Sequence, residues 1–326
     1  MNEKIKDIRK PIEKEFNEYL ELFNASLTHN DELQNQIFEQ IKSRGGKRLR
    51  PTLTILMAKA VGEITDSTLL AAVALELLHT ASLVHDDVVD NSDERRGQAS
   101  VNATNGNKIA ILLGDYILST ALLSAAATGN NELVAMLARL GRTLADGEIL
   151  QLKKDTHLDL NYDSYYKIIE QKTASLFEAC CEAGLKTGNG DNKSLEKVRL
   201  FGKMIGLIFQ IRDDIFDYLP TKELGKPAAK DMREGKITLP ALYVLNVSRE
   251  KNIHDLALKV KAGTITDEEI AVFIKFVVDN NGIDYAEAQM KELAAKAHSL
   301  ADEITDTEDV RESLHTLVDY FSSRNK

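Results

Sequence analysis

The sequence predicts an all-α fold, and three observations carry that prediction. Only five prolines and no tryptophan occur among the 326 residues, and long stretches are rich in Ala, Leu, Glu and Lys, which favour helix. Apolar residues recur at helical spacing, as at Ile12, Phe16 and Phe23. Alternating β-branched runs between tight-turn pairs are nearly absent. Because no Gly-, Ser- or Pro-rich linker interrupts the chain, we predict one domain over residues 1–326.

The helical periodicity divides the chain into segments separated by polar or glycine-containing loops. The predicted helices span residues 12–23, 33–41, 53–61, 66–90, 108–127, 132–154, 162–185 and 195–218, with further helices in the C-terminal third. Asp66 or Ser67 is the expected N-cap of the fourth helix. Its residues 69–78 carry a single charge, Glu76, so this helix should lie in the core. Polar loops are expected over residues 91–107 and 219–236.

Composition and charge limit the classes of partner. The net charge of −10 argues against broad electrostatic binding to nucleic acid or anionic lipid. Residues 1–23 mix charged and apolar side chains, unlike a secretory signal, and we find no apolar run long enough to span a membrane. Cys180 and Cys181 are adjacent, so on a helix they point in different directions and are expected to be free and buried. We therefore expect a cytoplasmic protein without a transmembrane segment or a nucleic-acid partner.

Two aspartate clusters end apolar helices. Both read Asp-Asp-x-x-Asp, once from Asp86 to Asp90 and once from Asp213 to Asp217. The first and last carboxylates share a helical face, about 5–6 Å apart, near a helix end where the dipole disfavours anions. A solvated acidic helix end would explain either cluster alone, but two such clusters favour a hard divalent cation such as Mg²⁺. The two motifs therefore predict a site for such a cation.

Basic clusters accompany the aspartates. Gly45-Gly46-Lys47-Arg48-Leu49-Arg50-Pro51 places three cations beside two glycines, and Arg95-Arg96 follows the first Asp cluster. Either basic cluster alone is more often a solvated surface patch. However, Mg²⁺ in proteins commonly binds through one or two carboxylates together with phosphate oxygens. The combination therefore predicts a polyphosphate substrate.

These motifs resemble those of the trans-polyprenyl diphosphate synthase family. They occur in the family's order: Gly-Gly-Lys-x-x-Arg-Pro at 45–51, the first Asp motif followed by Arg-Arg-Gly at 95–97, Lys-Thr at 172–173, and Phe-Gln-x-x-Asp-Asp-x-x-Asp at 209–217. The resemblance implies a helical bundle of the isoprenoid synthase type with a central cavity. It also implies Mg²⁺-dependent condensation of isopentenyl diphosphate onto an allylic diphosphate such as farnesyl diphosphate. The chain departs from the family at Ala99, Asn105 and Ala229, where the family usually has Pro, an aromatic residue and Gly.

The resemblance also assigns roles to individual residues. Isopentenyl diphosphate would be bound by Lys47, Arg50, His79 and Arg96. The allylic diphosphate would be bound by Arg95, Lys172, Thr173, Gln210, Lys226 and Lys236. Asp86, Asp90 and Asp213 would be the main ligands of several Mg²⁺ ions, and together with Lys172 would be the catalytic residues. Supporting metal ligands would be Asp87, Asp214 and Asp217. Without the family pattern, His79 would read as an ordinary core histidine.

Product length is a finer expectation. The growing chain would run along the helix that precedes Asp86, where Ala81 and Ser82 are small. Short-chain relatives place a bulky aromatic near these positions, so the pair implies a longer product, although tight helix packing is an alternative explanation. Leu123 and Met136 are candidates for the tunnel floor. The pattern looks most like bacterial octaprenyl diphosphate synthases, which make ubiquinone or menaquinone side chains; a geranylgeranyl to heptaprenyl product is the alternative, and a homodimer is implied by the family.

Three other classes of protein are alternatives to a polyprenyl diphosphate synthase. A terpene cyclase shares the helical fold and one acidic motif, but would not need a second diphosphate site at Lys47 and Arg50. A regulatory subunit of a heteromeric synthase typically loses one Asp motif, and this chain keeps both. A di-iron bundle would want a Glu-x-x-His pair on each of two helices, and we do not find them.

Overall fold

The computed structural model describes residues 3–43, 45–95, 97–154, 158–220 and 229–323. Nearly all regular structure in these residues is helical, which confirms the all-α prediction. In the N-terminal half the helices are α1 (Glu3–Arg9), α2 (Glu13–Ser26), α3 (Glu32–Ser43), α4 (Leu49–Val61), α5 (Asp66–Val89), α6 (Val101–Asn105), α7 (Asn107–Ala127) and α8 (Asn131–Lys154). In the C-terminal half they are α9 (Tyr162–Ile169), α10 (Ser175–Thr187), α11 (Leu195–Phe216), α12 (Lys230–Arg233), α13 (Leu239–Val247), α14 (Lys251–Lys261), α15 (Asp267–Asp279), α16 (Gly282–Ile304) and α17 (Glu308–Ser323).

Short elements correct the sequence-based boundaries in three places, the first being α12, which lies inside the predicted loop over 219–236. A π-helical turn (Glu170–Ala174) separates α9 from α10, so the predicted single helix over 162–185 is wrong at this point. The predicted loop over 91–107 contains α6 and an antiparallel hairpin of β1 (Glu94–Arg95) and β2 (Gln98–Ala99). Strands of two residues are too short to produce a detectable alternation in the sequence. Short 3₁₀ turns occupy Lys10–Ile12 and Asn192–Ser194.

The chain divides into two compact units. The first unit comprises Met1–Gly141, Leu176–Gly202 and Leu300–Thr316. The second unit comprises Arg142–Ser175, Lys203–Ser299 and Leu317–Lys326. The prediction of one domain over residues 1–326 stays a prediction.

In the first unit, α5 is buried along most of its length and packs against α2, α4 and α7. Its N-cap is Thr65, not Asp66 or Ser67 as the sequence suggested. The Thr65 hydroxyl accepts a hydrogen bond from the backbone N–H of Thr68 at 3.3 Å, and the Thr68 hydroxyl accepts one from the N–H of Thr65 at 3.1 Å. This reciprocal cap satisfies two backbone donors at once, which places the cap one residue earlier.

Helix α10 approaches α4 closely within the first unit. A Cβ at Gly184 would lie 2.6 Å from the carbonyl oxygen of Thr54, so only glycine permits this approach. Cys180 and Cys181 on the same helix are free and buried, which confirms the prediction for them. Burial raises the pKa of Cys180 to about 12, so its thiol stays protonated at neutral pH.

The second unit has its own apolar core. Phe273 and Val277 of α15 pack with Val244 of α13 and Val260 of α14, and Met232 of α12 joins the same cluster. This core anchors the short helix α12.

Within the described residues, two helices are long and apolar enough to span a membrane by length and composition alone, contrary to the expectation that no apolar run reaches this length. In α5 the relevant window is 67% buried inside the protein, as expected for a core helix, whereas in α7 it is 33% buried. Such helices are weak evidence of a membrane span, because core helices of soluble proteins share these properties.

Candidate active site

A cavity of about 260 Å³ lies in the second unit, beside α9, the π-helical turn, α11 and the segment after α12. Five residues predicted from the sequence line it: Lys172, Thr173, Gln210, Asp214 and Lys236. The structure therefore brings the Lys-Thr pair and part of the second Asp motif to the wall of one cavity.

The ammonium group of Lys172 is held by two side chains of α8. Its Nζ lies 2.5 Å from Glu148 Oε2 and donates to Gln151 Oε1 at 3.0 Å. Helix α8 comes this close because residue 147 is glycine: a Cβ there would lie 3.0 Å from Lys172 Cγ. An ammonium carries three donors. The arrangement therefore fixes the group and still allows it to bind an anion in the cavity.

A directional chain of hydrogen bonds runs along the cavity wall. The Thr173 hydroxyl donates to Gln210 Oε1 at 2.8 Å, and Gln210 Nε2 donates to Asp214 Oδ1 at 2.9 Å. The Tyr165 hydroxyl donates to the other carboxylate oxygen, Asp214 Oδ2, at 2.6 Å. Both oxygens of Asp214 therefore accept hydrogen bonds from the protein, and the chain fixes the orientation of the Gln210 amide and the Thr173 hydroxyl.

The electrostatics of Asp214 follow from its burial. The residue is 2% exposed, and burial raises the pKa of its carboxyl to about 8, with a further increase from the charge of Asp231. The hydrogen bonds from Tyr165 and Gln210 act in the opposite direction. A carboxyl with this pKa titrates near neutral pH, unlike an exposed aspartate.

Asp217, the last residue of the second motif, caps the segment that follows it. Its two oxygens accept the backbone N–H groups of Lys230 at 2.8 Å and Asp231 at 3.0 Å. Ala229 makes this possible by adopting the left-handed conformation, with φ 51°, which favours glycine. The family's usual glycine at this position thus has a structural explanation, and this chain achieves the same turn with alanine.

Asp213, Lys236 and Lys226 are the remaining predicted residues of this part of the chain. Asp213 is half-buried in the last turn of α11. The ammonium of Lys236 lies 2.5 Å from Glu234 Oε2, and burial together with the charge of Asp217 raises the pKa of Asp231 to about 6. Lys226 lies outside the described residues.

In the first unit, the first Asp motif ends α5. Asp86 is half-buried and Asp90 is exposed, and the backbone N–H of Asp90 donates to the carbonyl of Asp86 at 2.8 Å. Asp87 is 3% exposed and pairs with Arg95, whose Nη2 and Nε lie 2.6 Å and 2.7 Å from Asp87 Oδ1. The predicted metal ligand Asp87 therefore holds a predicted diphosphate ligand, the guanidinium of Arg95, in place.

A small cavity of about 60 Å³ lies beside this pair. His79, Asp87 and Arg95 line it, together with Arg48 and Glu76, which the sequence reading did not select. The Arg48 guanidinium pairs with Glu76, the single charge in the apolar part of α5, at 2.7 Å. The structure thus brings His79 and Arg95 to one cavity of the first unit.

The three cations of the glycine-rich basic segment, residues 45–51, differ in their burial and contacts. Lys47 is exposed, whereas Arg50 is half-buried with its guanidinium carbon 4.6 Å from the centre of the Phe177 ring. Arg48, between them, is the cation that turns inward. Arg96 lies outside the described residues.

The residues predicted to set product length lie on three helices. Ala81 is 2% exposed on α5, and the Ser82 hydroxyl beside it donates to the carbonyl of His79 at 2.9 Å. Met136 is buried on α8, whereas Leu123 is 70% exposed on α7. These positions do not test a tunnel, and the assignments stay predictions.

The carboxylates of the two Asp motifs have the chemistry that a divalent metal needs. Within the described residues, no three Cys, His, Asp or Glu side chains are grouped as a preformed metal site. Mg²⁺ does not require one, because it commonly uses one or two carboxylates and takes further oxygens from phosphate and water. Asp86 and Asp90 at one helix end, and Asp213 at another, are hard oxygen donors of the right kind.

Several residues that shape these sites were missed by the sequence reading. Tyr165, Glu148 and Gln151 fix predicted residues without belonging to any motif we recognised. Glu148 and Gln151 share a helical face, so a polar pair at i and i+3 in α8 was the available signal. No sequence signal marked Tyr165, because its partner Asp214 is 49 positions away along the chain.

Comparison with known proteins agrees with the sequence motifs. The sequence model of the family described as polyprenyl synthetase matches residues 31–276. The chain is 33% identical over 274 residues to octaprenyl diphosphate synthase of Haemophilus influenzae, covering 84% of this chain and 83% of that protein. The crystal structure of geranylgeranyl pyrophosphate synthase from Bacteroides thetaiotaomicron matches with a TM-score of 0.86 and 40% identity, over 98% of this chain and 99% of that one. Polyprenyl synthase from Caulobacter crescentus, crystallised with calcium and isoprenyl diphosphate, matches with a TM-score of 0.91 and 31% identity, over 98% of each chain.

Proposed function

This chain belongs to the polyprenyl synthetase family, and from that membership we propose that it adds isopentenyl diphosphate units in sequence to an allylic diphosphate such as farnesyl diphosphate. The chain is an enzyme, a prenyltransferase that makes a polyprenyl diphosphate. The observation that best supports the proposed substrate is the cavity wall that combines Lys172 and Lys236 with Thr173, Gln210 and Asp214. Cations and oriented polar groups around one cavity suit a diphosphate.

We propose Mg²⁺ as the cofactor, as several ions held mainly by Asp86, Asp90 and Asp213. When bound, Mg²⁺ supplies Lewis-acid stabilisation of the diphosphate oxygens. Calcium in the Caulobacter crescentus structure supports a divalent cation in the family.

The chain's own cations would stabilise the leaving diphosphate. Lys172 is kept in place by Glu148 and Gln151, and Arg95 by Asp87, so both charges are oriented before the substrate arrives. Such preorganised charge is commonly the largest contribution to catalysis. We propose that Lys226 and Lys236 act in the same way.

The second substrate would be bound at the basic segment of the first unit. Isopentenyl diphosphate is proposed to bind Lys47, Arg50, His79 and Arg96, with its double bond directed at the allylic cation. Condensation is followed by loss of a proton, for which the released diphosphate is the proposed acceptor. Exclusion of water is required throughout, because water would quench the cation.

For product length we propose an octaprenyl chain that serves quinone synthesis. The small side chains of Ala81 and Ser82 and the resemblance to the Haemophilus influenzae octaprenyl synthase support it. A product of geranylgeranyl to heptaprenyl length is the second candidate, favoured by the 40% identity to the Bacteroides thetaiotaomicron geranylgeranyl pyrophosphate synthase.

We further propose that the enzyme is a cytoplasmic homodimer. Helix α7 exposes Leu112, Leu123 and neighbouring apolar side chains at helical spacing, and Leu112 is 65% exposed. An apolar stripe of this kind is expected to be covered by another surface. Light scattering of the Leu112→Asp variant should show a monomer; an unchanged mass would argue against this face.

The test of the proposed function removes the two leading carboxylates separately. Asp86→Ala and Asp213→Ala should each reduce turnover by at least about 100-fold, because each removes stabilisation of the leaving diphosphate. Asp279→Ala, which removes an exposed aspartate of α15 paired with Lys275 of the same helix, is the matched control and should retain activity. Tm should stay near the wild-type value in all three variants. Wild-type turnover in Asp86→Ala or Asp213→Ala would overturn the proposed roles.

A further inference from the structure

Arg9, the last residue of α1, is a buried arginine directed at the basic segment. Its side chain donates from Nε to Thr52 Oγ1 at 2.9 Å. Its Nη2 donates to the carbonyl of Lys47 and, at 3.4 Å, to the carbonyl of Arg48. Burial lowers the pKa of Arg9 to about 10, which still leaves it charged at neutral pH. One guanidinium therefore binds two successive carbonyls of the segment that carries the proposed isopentenyl diphosphate ligands.

The backbone at this point requires such support. Residues 45–48 belong to no helix or strand, and Arg48 adopts a left-handed conformation with φ 46°. This conformation is unfavourable for a residue with a side chain and persists only when its surroundings hold it. Thr52 completes the arrangement, because its hydroxyl accepts from Arg9 and donates to the carbonyl of Arg48 at 2.7 Å. Arg9 and Thr52 together fix the turn.

The side chain of Arg48 is fixed as firmly as its backbone. It pairs with Glu76 at 2.7 Å and lies 4.2 Å above the centre of the Phe23 ring. Arg9 is placed in the same way over Phe16, at 3.7 Å. Both aromatic residues belong to α2, so the N-terminal helices form the support on which the basic segment rests. Arg48 is thereby an internal cation, while Lys47 on its N-terminal side is exposed.

We propose that Arg9 is a positioning residue for isopentenyl diphosphate, which holds the backbone of residues 47–48 so that Lys47 and Arg50 are preorganised for the diphosphate. The inference rests on the proposed function, because it requires those two residues to bind that substrate. Preorganisation increases affinity by removing the cost of ordering the loop on binding. Arg9 precedes residues 31–276, to which the family model matches.

The experiment compares substitutions of Arg9 by steady-state kinetics with both substrates varied. Arg9→Met should raise KM for isopentenyl diphosphate about tenfold, the effect of losing a buried charged hydrogen bond. The KM for farnesyl diphosphate and kcat should change by less than about twofold, because the variant does not touch the allylic site or the reacting atoms. Arg9→Lys should have a KM for isopentenyl diphosphate between those of the wild type and Arg9→Met, since an ammonium keeps the charge but cannot reproduce the guanidinium fork.

Lys59→Met is the matched control. Lys59 Nζ donates to the carbonyl of Pro11 at 2.5 Å, so it also ties the N-terminal segment to α4, but through a different carbonyl. Its loss should lower Tm without changing KM for isopentenyl diphosphate. Amide hydrogen exchange across residues 45–48 should accelerate in Arg9→Met and remain unchanged in Lys59→Met.

Two results would overturn the inference: a wild-type KM for isopentenyl diphosphate in Arg9→Met, or the same increase in KM in Arg9→Met and Lys59→Met. If Arg9→Met does not fold, Arg9→Lys is compared with Lys59→Met instead. A higher KM for isopentenyl diphosphate in Arg9→Lys supports the inference, and equal values overturn it. If the wild-type protein fails to incorporate isopentenyl diphosphate, the proposed function fails, and hydrogen exchange still decides whether Arg9 holds the segment.

Discussion

Gly114, in α7, lets that helix contact α5 directly before the first Asp motif. A Cβ at position 114 would lie 2.2 Å from Nε2 of His85 and 2.5 Å from its Cδ2. Since ordinary Cβ contacts begin at 3.4 Å, Gly114→Ala would require His85 or α7 to move by about 1 Å or more. His85 Nε2 lies 3.2 Å from the carbonyl of Ile111 and 3.4 Å from the carboxylate of Asp115, so the ring cannot move without losing these contacts.

The expected cost follows from two opposing effects. Overpacking a close contact costs about 1–3 kcal/mol, whereas alanine is favoured over glycine in a helix by about 1 kcal/mol. We therefore expect Gly114→Ala to reduce the free energy of unfolding by about 0–2 kcal/mol. Because His85 precedes Asp86, a shift of about 1 Å should also lower kcat by about 10- to 100-fold.

Gly141→Ala provides the matched control within the first unit. Gly141 also lies inside a helix, α8, but the nearest atom to its added Cβ would be Leu78 Cδ1 at 3.8 Å, an ordinary contact. This variant should be stabilised by about 0.5–1 kcal/mol with kcat unchanged. Scanning calorimetry and steady-state kinetics measure both quantities. A Tm for Gly114→Ala at or above that of Gly141→Ala, with wild-type kcat, would refute the reasoning.

Three further variants test other parts of the structure. Ala229→Gly should lower Tm less than Ala262→Gly, because the left-handed φ of 51° costs alanine about 1 kcal/mol and its relief offsets the loss of a buried methyl group, whereas Ala262 has φ −80°; the reverse order in calorimetry would contradict the argument. Metal-free protein should lose stability progressively as pH rises from about 4 to about 8, because folding raises the pKa of Asp214 to about 8 from an unfolded value near 4, so the folded state favours its protonated form. Urea unfolding with a chelator between pH 5 and pH 8 should show this decrease in the free energy of unfolding. An equal decrease in Asp214→Asn would show that another group causes it. Ala81→Tyr should shorten the products by obstructing the proposed tunnel, and an unchanged product distribution by chromatography would refute the tunnel.

The local features of this chain were predictable from its sequence. Helical periodicity predicted most helices, because it depends only on neighbouring residues. For the same reason, the i, i+4 spacing predicted the carboxylate pairs at Asp86–Asp90 and Asp213–Asp217. The cap of α5 was misplaced because several consecutive residues are competent N-caps, and only side-chain geometry selects Thr65. The π-helical turn that carries Lys172 has the composition of an ordinary helix, so nothing in the sequence marked it.

The contacts that orient the site were not predictable in the same way. Asp87 was predicted as a supporting metal ligand by the family resemblance, yet its carboxylate pairs with Arg95 of the β-hairpin. Arg9 lies 38 positions from the carbonyl of Lys47 that it binds, and a single sequence contains no signal for such a pair. Residues that contact substrate thus follow local patterns, whereas residues that position them depend on tertiary packing.

The most direct test of the proposed reaction is incubation of the purified protein with Mg²⁺, farnesyl diphosphate and labelled isopentenyl diphosphate, followed by chromatography of the dephosphorylated products. We expect the label in a ladder of polyprenols that ends at a long product, with octaprenol as the main species. Conversion of farnesyl diphosphate to an unlabelled cyclic hydrocarbon, or no incorporation of the label at all, would contradict the proposal.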